Sequence, residues 1–174
     1  MKLSFYPRLA LYLVSVFMLV IITCFYVTNL LQQRTQEEAE QRLDIGLAEH
    51  LVGDNPLLEE GVYDYKALEN LFHTLMILGP NFEFYYLNPQ GEILTYSADS
   101  GKVKAKKVDI TPILRLVNTD TELPILGDDP RNLGQHKIFS AAPVYKQDTL
   151  QGYLYVIIGG ERYDSILANL KNSQ

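Results

Sequence analysis

The residues best suited to chemistry in this chain are tyrosine, serine and charged side chains, because the only cysteine, Cys24, lies in an apolar stretch. His50, His73 and His136 are scattered and form neither an H-x-x-x-H nor an H-E-x-x-H pair, so we expect no metal site. No phosphate-binding loop or G-x-S-x-G motif occurs, which predicts no catalytic machinery and no cofactor. A hydrolase built on Ser140 and His136 stays open, since catalytic triads assemble in space rather than in sequence.

Tyrosine hydroxyls gather on one face of a predicted sheet that is built from two β-hairpins. If a four-residue loop, 146–149, joins the second hairpin, Ser140 faces Tyr155 on this side. The opposite side is apolar and should meet the helices; it holds Phe139, Ala141, Leu154, Val156 and Ile158. The tyrosine side leaves room for a small polar ligand, and its candidate binding residues are Tyr85, Tyr96, Ser140, Tyr153 and Tyr155. The alternative is that these are ordinary amphipathic tyrosines on a solvated face.

Two charged runs are candidate ion sites. A loop over 98–108 carries Lys102, Lys104, Lys106 and Lys107, which could hold an anion or lie on anionic lipid, or could simply be solvated. An acidic stretch contains Asp120, Glu122, Asp128 and Asp129. This stretch lacks the spacing of a calcium loop, and residues 127–130 favour a turn, so a structural role is the simpler interpretation.

An uncharged segment of 23 residues, 9–31, is long enough to cross a bilayer, because it spans about 35 Å as a helix. Lys2 and Arg8 precede it, whereas Arg34 and then three glutamates follow it. The positive-inside rule therefore predicts a cytoplasmic N-terminus, 1–8, and an exported body, 32–174. We expect an uncleaved signal anchor in the cytoplasmic membrane; a cleaved signal peptide and a lipoprotein signal at Cys24 are the alternatives.

The order of the predicted helices and strands, which must position the candidate site residues, indicates an α+β fold. A stalk helix over 32–52 should continue the membrane span, either packed on its own domain or paired in a parallel dimer. Asp64 should cap a second helix that ends before Gly79. The first hairpin, a short helix over 111–117, the second hairpin and a closing helix over 161–172 should follow. This order suits an antiparallel sheet with helices packed on one face.

Composition supports one folded domain outside the membrane. The 174 residues are 47% apolar, with 15 basic and 21 acidic residues in all. Only two basic residues and no acidic residue lie in 1–31, so the remainder carries 13 basic and 21 acidic residues. A net negative body argues against a nucleic-acid partner.

The order of elements, the hairpin FEFYYLNPQGEILTYS and the segments KIFSAAPVY and GYLYVIIGGERYDSIL resemble the extracytoplasmic PAS-like (PDC/Cache-type) sensor region of bacterial two-component sensor histidine kinases. The resemblance covers essentially the whole chain. It implies a signal sensed on the sheet face and passed through the stalk and closing helices of a membrane-spanning dimer. It also implies that a second membrane span and kinase domains follow residue 174. Arg115 is the nearest cationic candidate for the pocket.

Two functional hypotheses follow. The first is a membrane-anchored sensor domain that detects a small molecule or an envelope signal and performs no chemistry itself. The second is an anchored structural or interaction protein of the cell envelope, with another envelope protein as its partner. The coding sequence after residue 174 distinguishes these two hypotheses.

Overall fold

The computed structural model describes residues 5–59, 61–97, 101–118 and 122–159. The chain divides into two compact units, Met1–Glu38 and Ala39–Gln174. The predicted closing helix over 161–172 lies outside the described residues. The acidic stretch is described only from Glu122 onward.

Helix α1, Phe5–Asp44, contains the uncharged segment. All residues of 9–31 are exposed, and this is the one helix in the described part of the chain that is long and apolar enough to cross a membrane. The helix predicted over 32–52 is not continuous. It is interrupted at Ile45 and Gly46 and resumes as α2, Leu47–Asp54.

Three further helices form where residue patterns predicted or allowed them. A short turn of helix, α3, covers Pro56–Glu59. Helix α4, Tyr65–Leu78, begins at Asp64, whose Oδ1 accepts hydrogen bonds from the amides of Lys66 and Ala67 at 2.9 Å each. The predicted cap is therefore confirmed. Helix α5, Thr111–Asn118, agrees with the expected short helix within one residue.

Within the described residues, five strands form one antiparallel sheet, and the predicted α+β class is confirmed. The strands are β1 Phe82–Leu87, β2 Ile93–Tyr96, β3 Leu126–Asp128, β4 His136–Lys146 and β5 Thr149–Ile158. Their spatial order is β2-β1-β5-β4-β3, which places the two hairpins side by side through β1 and β5. The sheet therefore joins segments that are distant in sequence.

The sheet has two buried faces. We call the side packed on α2, α3 and α4 the helix face; its strand residues are Phe84, Tyr86, Ala142, Val144, Leu154 and Val156. We call the other side the loop face; its strand residues are Tyr85, Leu87, Phe139, Ala141, Tyr153, Tyr155 and Ile157. The loop face is covered by Val108, Ile113 of α5 and Ile125. Helices were expected on one face, and α5 is the exception to that expectation.

The predicted register of the second hairpin is wrong over most of its length. Next to the turn the expected pairing occurs, with Tyr145 opposite Leu150. A β-bulge then skips Gln151, and the register shifts by one residue. Ser140 consequently lies opposite Val156 rather than Tyr155, because a one-residue shift exchanges the two faces of a strand.

The side chain of Gln151 accounts for the bulge. Its Oε1 accepts a hydrogen bond from the Val62 amide at 2.6 Å, and its Nε2 donates to the Val62 carbonyl at 2.9 Å. These bonds hold the segment between α3 and α4 against β5. The residue that the ladder skips therefore pairs with a loop instead of a strand.

The first hairpin behaves in part as predicted. Tyr85 and Tyr96 are directly opposite each other, which confirms that they share a side. Alternation along the first hairpin predicts that Ile93 lies on the same side as Phe84 and Tyr86. A register shift next to Leu87 instead places Ile93 opposite Leu87, so Ile93 packs on the loop face. In both hairpins the prediction failed at a bulge, because alternation alone does not reveal an inserted residue.

Candidate functional site

Four of the predicted ligand-binding residues lie on the loop face. Tyr85 and Tyr155 are paired across β1 and β5, with ring centroids 6.3 Å apart. Tyr96 lies 6.4 Å from Tyr85 by the same measure, and Tyr153 belongs to the same cluster. Tyr85, Tyr153 and Tyr155 are 1%, 5% and 1% exposed. The space expected between these tyrosines is occupied by core side chains, and their role in ligand binding stays a prediction.

Two of the tyrosine hydroxyls have specific partners. Tyr85 donates to Glu83 Oε2 at 2.8 Å, and Tyr155 donates to the Asp128 carbonyl at 2.8 Å. Burial raises the pKa of Tyr85, and the negative charge of Glu83 adds to this increase. Burial also raises the pKa of Tyr155, with further contributions from Asp128 and Asp129. Both hydroxyls therefore stay neutral and act as hydrogen-bond donors within the core.

Ser140 does not belong to the tyrosine group. Its side chain is on the opposite side of the sheet from Tyr155, where Oγ donates to the Ile45 carbonyl at 2.6 Å and accepts from the Ala48 amide at 3.0 Å. Ser140 is completely buried. It attaches the interruption between α1 and α2 to β4, because it satisfies backbone groups that the broken helix leaves without partners. The predicted position facing Tyr155 is wrong for this residue.

Gln41 is a buried polar residue that no sequence pattern indicated as a candidate site residue. It lies on α1 and is completely buried. Its Nε2 donates to the carbonyls of Ile125 and Phe139 at 2.9 Å each, and its Oε1 accepts from the Ile125 amide at 2.8 Å. These bonds connect α1 to β4 through Phe139 and to the segment just before β3 through Ile125.

Tyr96 and the last predicted residue, Arg115, are less buried than the other tyrosines of the loop face. Tyr96 is half-buried and lines a shallow groove together with Ile93 and the lysine-rich loop. Arg115 is exposed on α5, whose buried residue is Ile113. Neither Arg115 nor the buried Tyr85, Tyr153 and Tyr155 lines the main cavities of the described residues. The structure therefore groups the tyrosines in the core and leaves Arg115 exposed on α5.

A charged cleft lies beside the loop face, and sequence analysis did not identify it as a unit. Its volume is about 320 Å³. Its lining comes from β1, from β4, from the lysine loop and from the turn that follows β3. The lining residues are Glu83, Gly101, Lys102, Lys104, Asp129, Arg131, Asn132 and Lys137. We call this set the charged cleft. Four of its side chains are cationic and two are carboxylates.

Two buried carboxylates form the inner wall of the charged cleft. Glu83 accepts from Tyr85 and also lies 3.0 Å from Arg131 Nε, with a side chain that is 4% exposed. Asp129 accepts from the Arg131 amide and from Asn132 Nδ2, both at 2.9 Å, and its side chain is 1% exposed. These bonds give both carboxylates protein partners and hold Arg131 against the wall.

Lys137 and the lysine loop complete the charged cleft. Lys137 Nζ donates to the Gly159 carbonyl at 2.7 Å and lies 3.8 Å from Asp129 Oδ2. The amides of Lys104 and Ala105 both donate to the Pro130 carbonyl at 2.9 Å. This pair of bonds fixes the loop next to the turn over 129–135. Two of the four lysines of the predicted run, Lys102 and Lys104, therefore line the charged cleft.

One signal in the sequence pointed to this cleft. Glu83 alternates with Phe82 and Phe84 in an apolar strand, and this alternation predicts that it lies on the same side as Tyr85. A carboxylate on a buried strand face requires a partner. The partner, Arg131, is 48 positions away in a turn, and only the packing of β1 beside β5 brings the two residues together.

Metal and hydrolase chemistry find little support in the described residues. Across the described ranges, no group of three or more His, Cys, Asp or Glu side chains is placed to hold a metal ion. Ser140 and His136 are four residues apart on β4, which corresponds to about 13 Å along a strand, too far for a hydrogen bond. The predicted Ser140–His136 pair of the hydrolase alternative therefore does not form.

Comparisons with known proteins do not assign this chain to a family. No family model matches it, and neither the curated proteins nor the solved structures contain a significant match.

Proposed function

We propose that this chain is a membrane-anchored extracytoplasmic sensor domain, which detects a small molecule or an envelope signal and passes it, within a homodimer, to a histidine kinase output. In this proposal 9–31 is the signal anchor and residues 32–174 are periplasmic. The observation that carries it is Gln41: the helix that contains the apolar segment also carries a buried residue that makes one hydrogen bond to β4 and two to the backbone of Ile125, just before β3.

The attachment of the helix to β4 supports a transmitting role. Gln41 bonds to Phe139, and Ser140 bonds to Ile45 and Ala48, so two consecutive residues of β4 hold the end of α1 and the start of α2. A signal that favours one position of β4 would therefore also favour one position of α1. A ligand shifts such an equilibrium by its difference in affinity for the two states.

Orientation is tested by labelling one exposed cysteine. We would replace Cys24 with alanine, introduce Glu69→Cys on the exposed side of α4, and treat spheroplasts with a membrane-impermeant maleimide. Labelling of intact spheroplasts is expected. Labelling only after lysis would place the sheet domain in the cytoplasm and overturn the proposal.

Output is tested by the coding sequence downstream of codon 174. A second apolar span that leads to a phosphoacceptor-histidine helix and an ATP-binding domain is the expected result. A stop codon without a partner kinase gene would contradict the kinase output. The anchored interaction protein of the envelope would then be the function to pursue.

A further inference from the structure

We propose that the carboxamide of Gln41 is a removable wedge between β3 and β4. When it withdraws, the two strands close by one further backbone pair, Ile125 with Phe139. The position of α1 is thereby coupled to the length of the β3–β4 ladder. This inference deepens the proposed sensor function and rests on it for its biological meaning. The structure holds the state in which the wedge is inserted.

The pairing of β3 with β4 stops one residue short of Ile125. Three residue pairs form the ladder: Leu126 with Ile138, Gly127 with Lys137 and Asp128 with His136. The same register, continued by one step, places Ile125 opposite Phe139. Strand β3 nevertheless begins only at Leu126, and the Ile125 amide donates to Gln41. The ladder therefore ends where the side chain of Gln41 lies.

The alternation of the ladder defines the hydrogen bonds of the pair that is missing. Beyond the other end of β3, the Asp129 amide donates to the Gln135 carbonyl at 2.9 Å. In an antiparallel ladder every second pair exchanges two backbone hydrogen bonds, so the odd-numbered residues of these two segments direct their amides and carbonyls towards each other. Ile125 and Phe139 belong to that series. In the closed state each of their amides would donate to the carbonyl of the other residue.

The carboxamide of Gln41 takes the place of that backbone pair. Its Oε1 accepts from the Ile125 amide at 2.8 Å, and its Nε2 donates to the carbonyls of Ile125 and Phe139 at 2.9 Å each. A carboxamide offers the same kinds of donor and acceptor as a peptide group. The Ile125 amide has a single hydrogen, and its bond to Gln41 takes the place of a bond to Phe139. The inserted side chain therefore keeps the two backbones apart.

The last turn of α1 depends on this one side chain for its attachment. Among the residues of α1 whose burial the structure describes, only Gln41 is buried, and the nearby Leu43 is 84% exposed. An apolar contact surface resists small displacements through many weak contacts. Hydrogen bonds instead weaken steeply with distance, so a displacement of about 1 Å breaks all three bonds of Gln41. The attachment is therefore either made or lost.

The inserted and closed states satisfy similar numbers of hydrogen bonds, as a two-state element requires. Three bonds to Gln41 are exchanged for two backbone bonds, and the released carboxamide bonds to water. The interruption of the helix at Ile45 and Gly46 can absorb a displacement of α1, because α2 stays attached to β4 through the Ala48 amide and Ser140. A signal that displaces α1, or one that draws β3 towards β4, selects the closed state.

The experiment is NMR spectroscopy of the full chain in a neutral detergent, with Gln41→Ala as the test variant and Gln33→Ala as its matched control. Gln33 is an exposed glutamine of the same helix and bonds to Glu37 one turn further on. In Gln41→Ala we expect a nuclear Overhauser effect between the amides of Ile125 and Phe139. The Phe139 amide should also exchange with solvent about tenfold more slowly, because it gains an acceptor. The native chain and the control should show neither change.

A distance measurement tests the link to α1. Spin labels are attached to Leu43→Cys on α1 and Thr149→Cys on β5, two exposed positions, in a Cys24→Ala background. We expect the distribution of label distances to shift or broaden in Gln41→Ala and to stay unchanged in the control. Closure of the ladder without any change in this distribution would show that Gln41 does not hold α1, and would overturn the coupling.

Three further results would overturn the inference. The first is the absence of the Ile125–Phe139 effect in Gln41→Ala, and the second is an equal effect in the native chain. Gln41→Asn, which retracts the same carboxamide by one methylene, is the second variant and should show the same changes in weaker form. Circular dichroism reports whether each variant is folded. Loss of the fold in both variants is the third result, because a side chain that folding requires is not a removable wedge.

A failure here is distinct from a failure of the sensor proposal. The NMR and distance measurements in detergent depend on neither membrane orientation nor a kinase output. A chain whose ladder closes but whose orientation is the opposite retains the switch and loses the sensor function. A chain with the expected orientation and a downstream kinase, but with a ladder that does not close, retains the sensor function and loses this switch.

Discussion

The helix face and the loop face of the sheet bury the same kinds of residues under different covers. On the helix face, α2 and α4 meet the strands through apolar side chains, and Phe72 stacks on Phe84 with ring centroids 5.7 Å apart. On the loop face, short α5 and irregular segments cover the strands, and the buried carboxylates Glu83 and Asp129 lie at the margin. The charged cleft occurs on the side with the less regular cover.

This difference has a physical reason. A helix satisfies its own backbone hydrogen bonds, so it can cover a sheet with apolar side chains alone. Loops bring unpaired amides and carbonyls, which require polar partners in the interior. On the loop face those partners include Asp129, which accepts from the Arg131 amide, and Gln41, which bonds to both backbone groups of Ile125. Polar groups therefore accumulate where loops form the cover.

The largest expected effect comes from truncation of one completely buried aliphatic residue on each face. Leu68→Ala on α4 should cost about 4 to 5 kcal/mol of unfolding free energy, and Ile113→Ala on α5 about 2 to 3 kcal/mol. The two side chains have the same size, but α5 is flanked by loops that can relax into the space. Urea unfolding of the full chain in neutral detergent measures both. Equal losses would contradict a difference in rigidity between the faces.

We expect alkaline pH to lower the unfolding free energy through buried tyrosines on both faces. Burial raises the pKa of Tyr86 on the helix face and of Tyr85 and Tyr155 on the loop face. Their protonated forms are favoured in the folded state, so stability is constant below about pH 10 and falls as pH rises further. The loss is up to about 1.4 kcal/mol per pH unit for each tyrosine.

Single Tyr→Phe variants assign this alkaline loss. Replacement of Tyr85, Tyr86 or Tyr155 with phenylalanine should make the decline less steep. The measurement is the midpoint of urea unfolding as a function of pH. A decline that none of the three buried variants alters would show that other groups cause it.

Removal of a buried charge tests the polar margin of the loop face. Glu83→Gln preserves shape but leaves Arg131 without its carboxylate partner, so we expect a loss of about 2 to 3 kcal/mol. Glu69→Gln on the exposed side of α4 is the matched control and should change stability by less than about 0.5 kcal/mol. If Glu83→Gln is as harmless as the control, the carboxylate does not stabilise the margin.

Ser140→Ala tests the attachment on the helix face. The substitution removes the acceptor of the Ala48 amide and the donor to the Ile45 carbonyl, and we expect a loss of about 1 to 2 kcal/mol. Faster hydrogen exchange near the α1–α2 interruption should accompany the loss. Thr74→Ala removes an exposed hydroxyl within α4 and serves as the control. An unchanged exchange rate at Ala48 would contradict the attachment.

The elements of this fold were predictable, while the arrangement of its polar groups was not. The Asp64 cap, the uncharged span and four of the five described strands depend on local patterns, and the structure agrees with them. The strand β3 is the exception, because it occupies the start of the segment 127–130, where the residues favour a turn. The bulge at Gln151 depends on its bonds to Val62, which lies 89 positions away, and it moved Ser140 to the other face. Pairs that are distant in sequence, such as Glu83 with Arg131, leave no periodic pattern to detect.

The smallest expected effect compares two buried tyrosine hydroxyls at neutral pH. Tyr155 on the loop face donates to the Asp128 carbonyl, whereas the Tyr86 hydroxyl on the helix face has no hydrogen-bond partner among the described residues. Tyr155→Phe should therefore cost about 1 kcal/mol, because it removes a satisfied bond, and Tyr86→Phe should be neutral or slightly stabilising. Urea unfolding at pH 7 measures both. Because an apolar cover excludes partners and a loop supplies them, the opposite order of the two variants would contradict our account of the two faces.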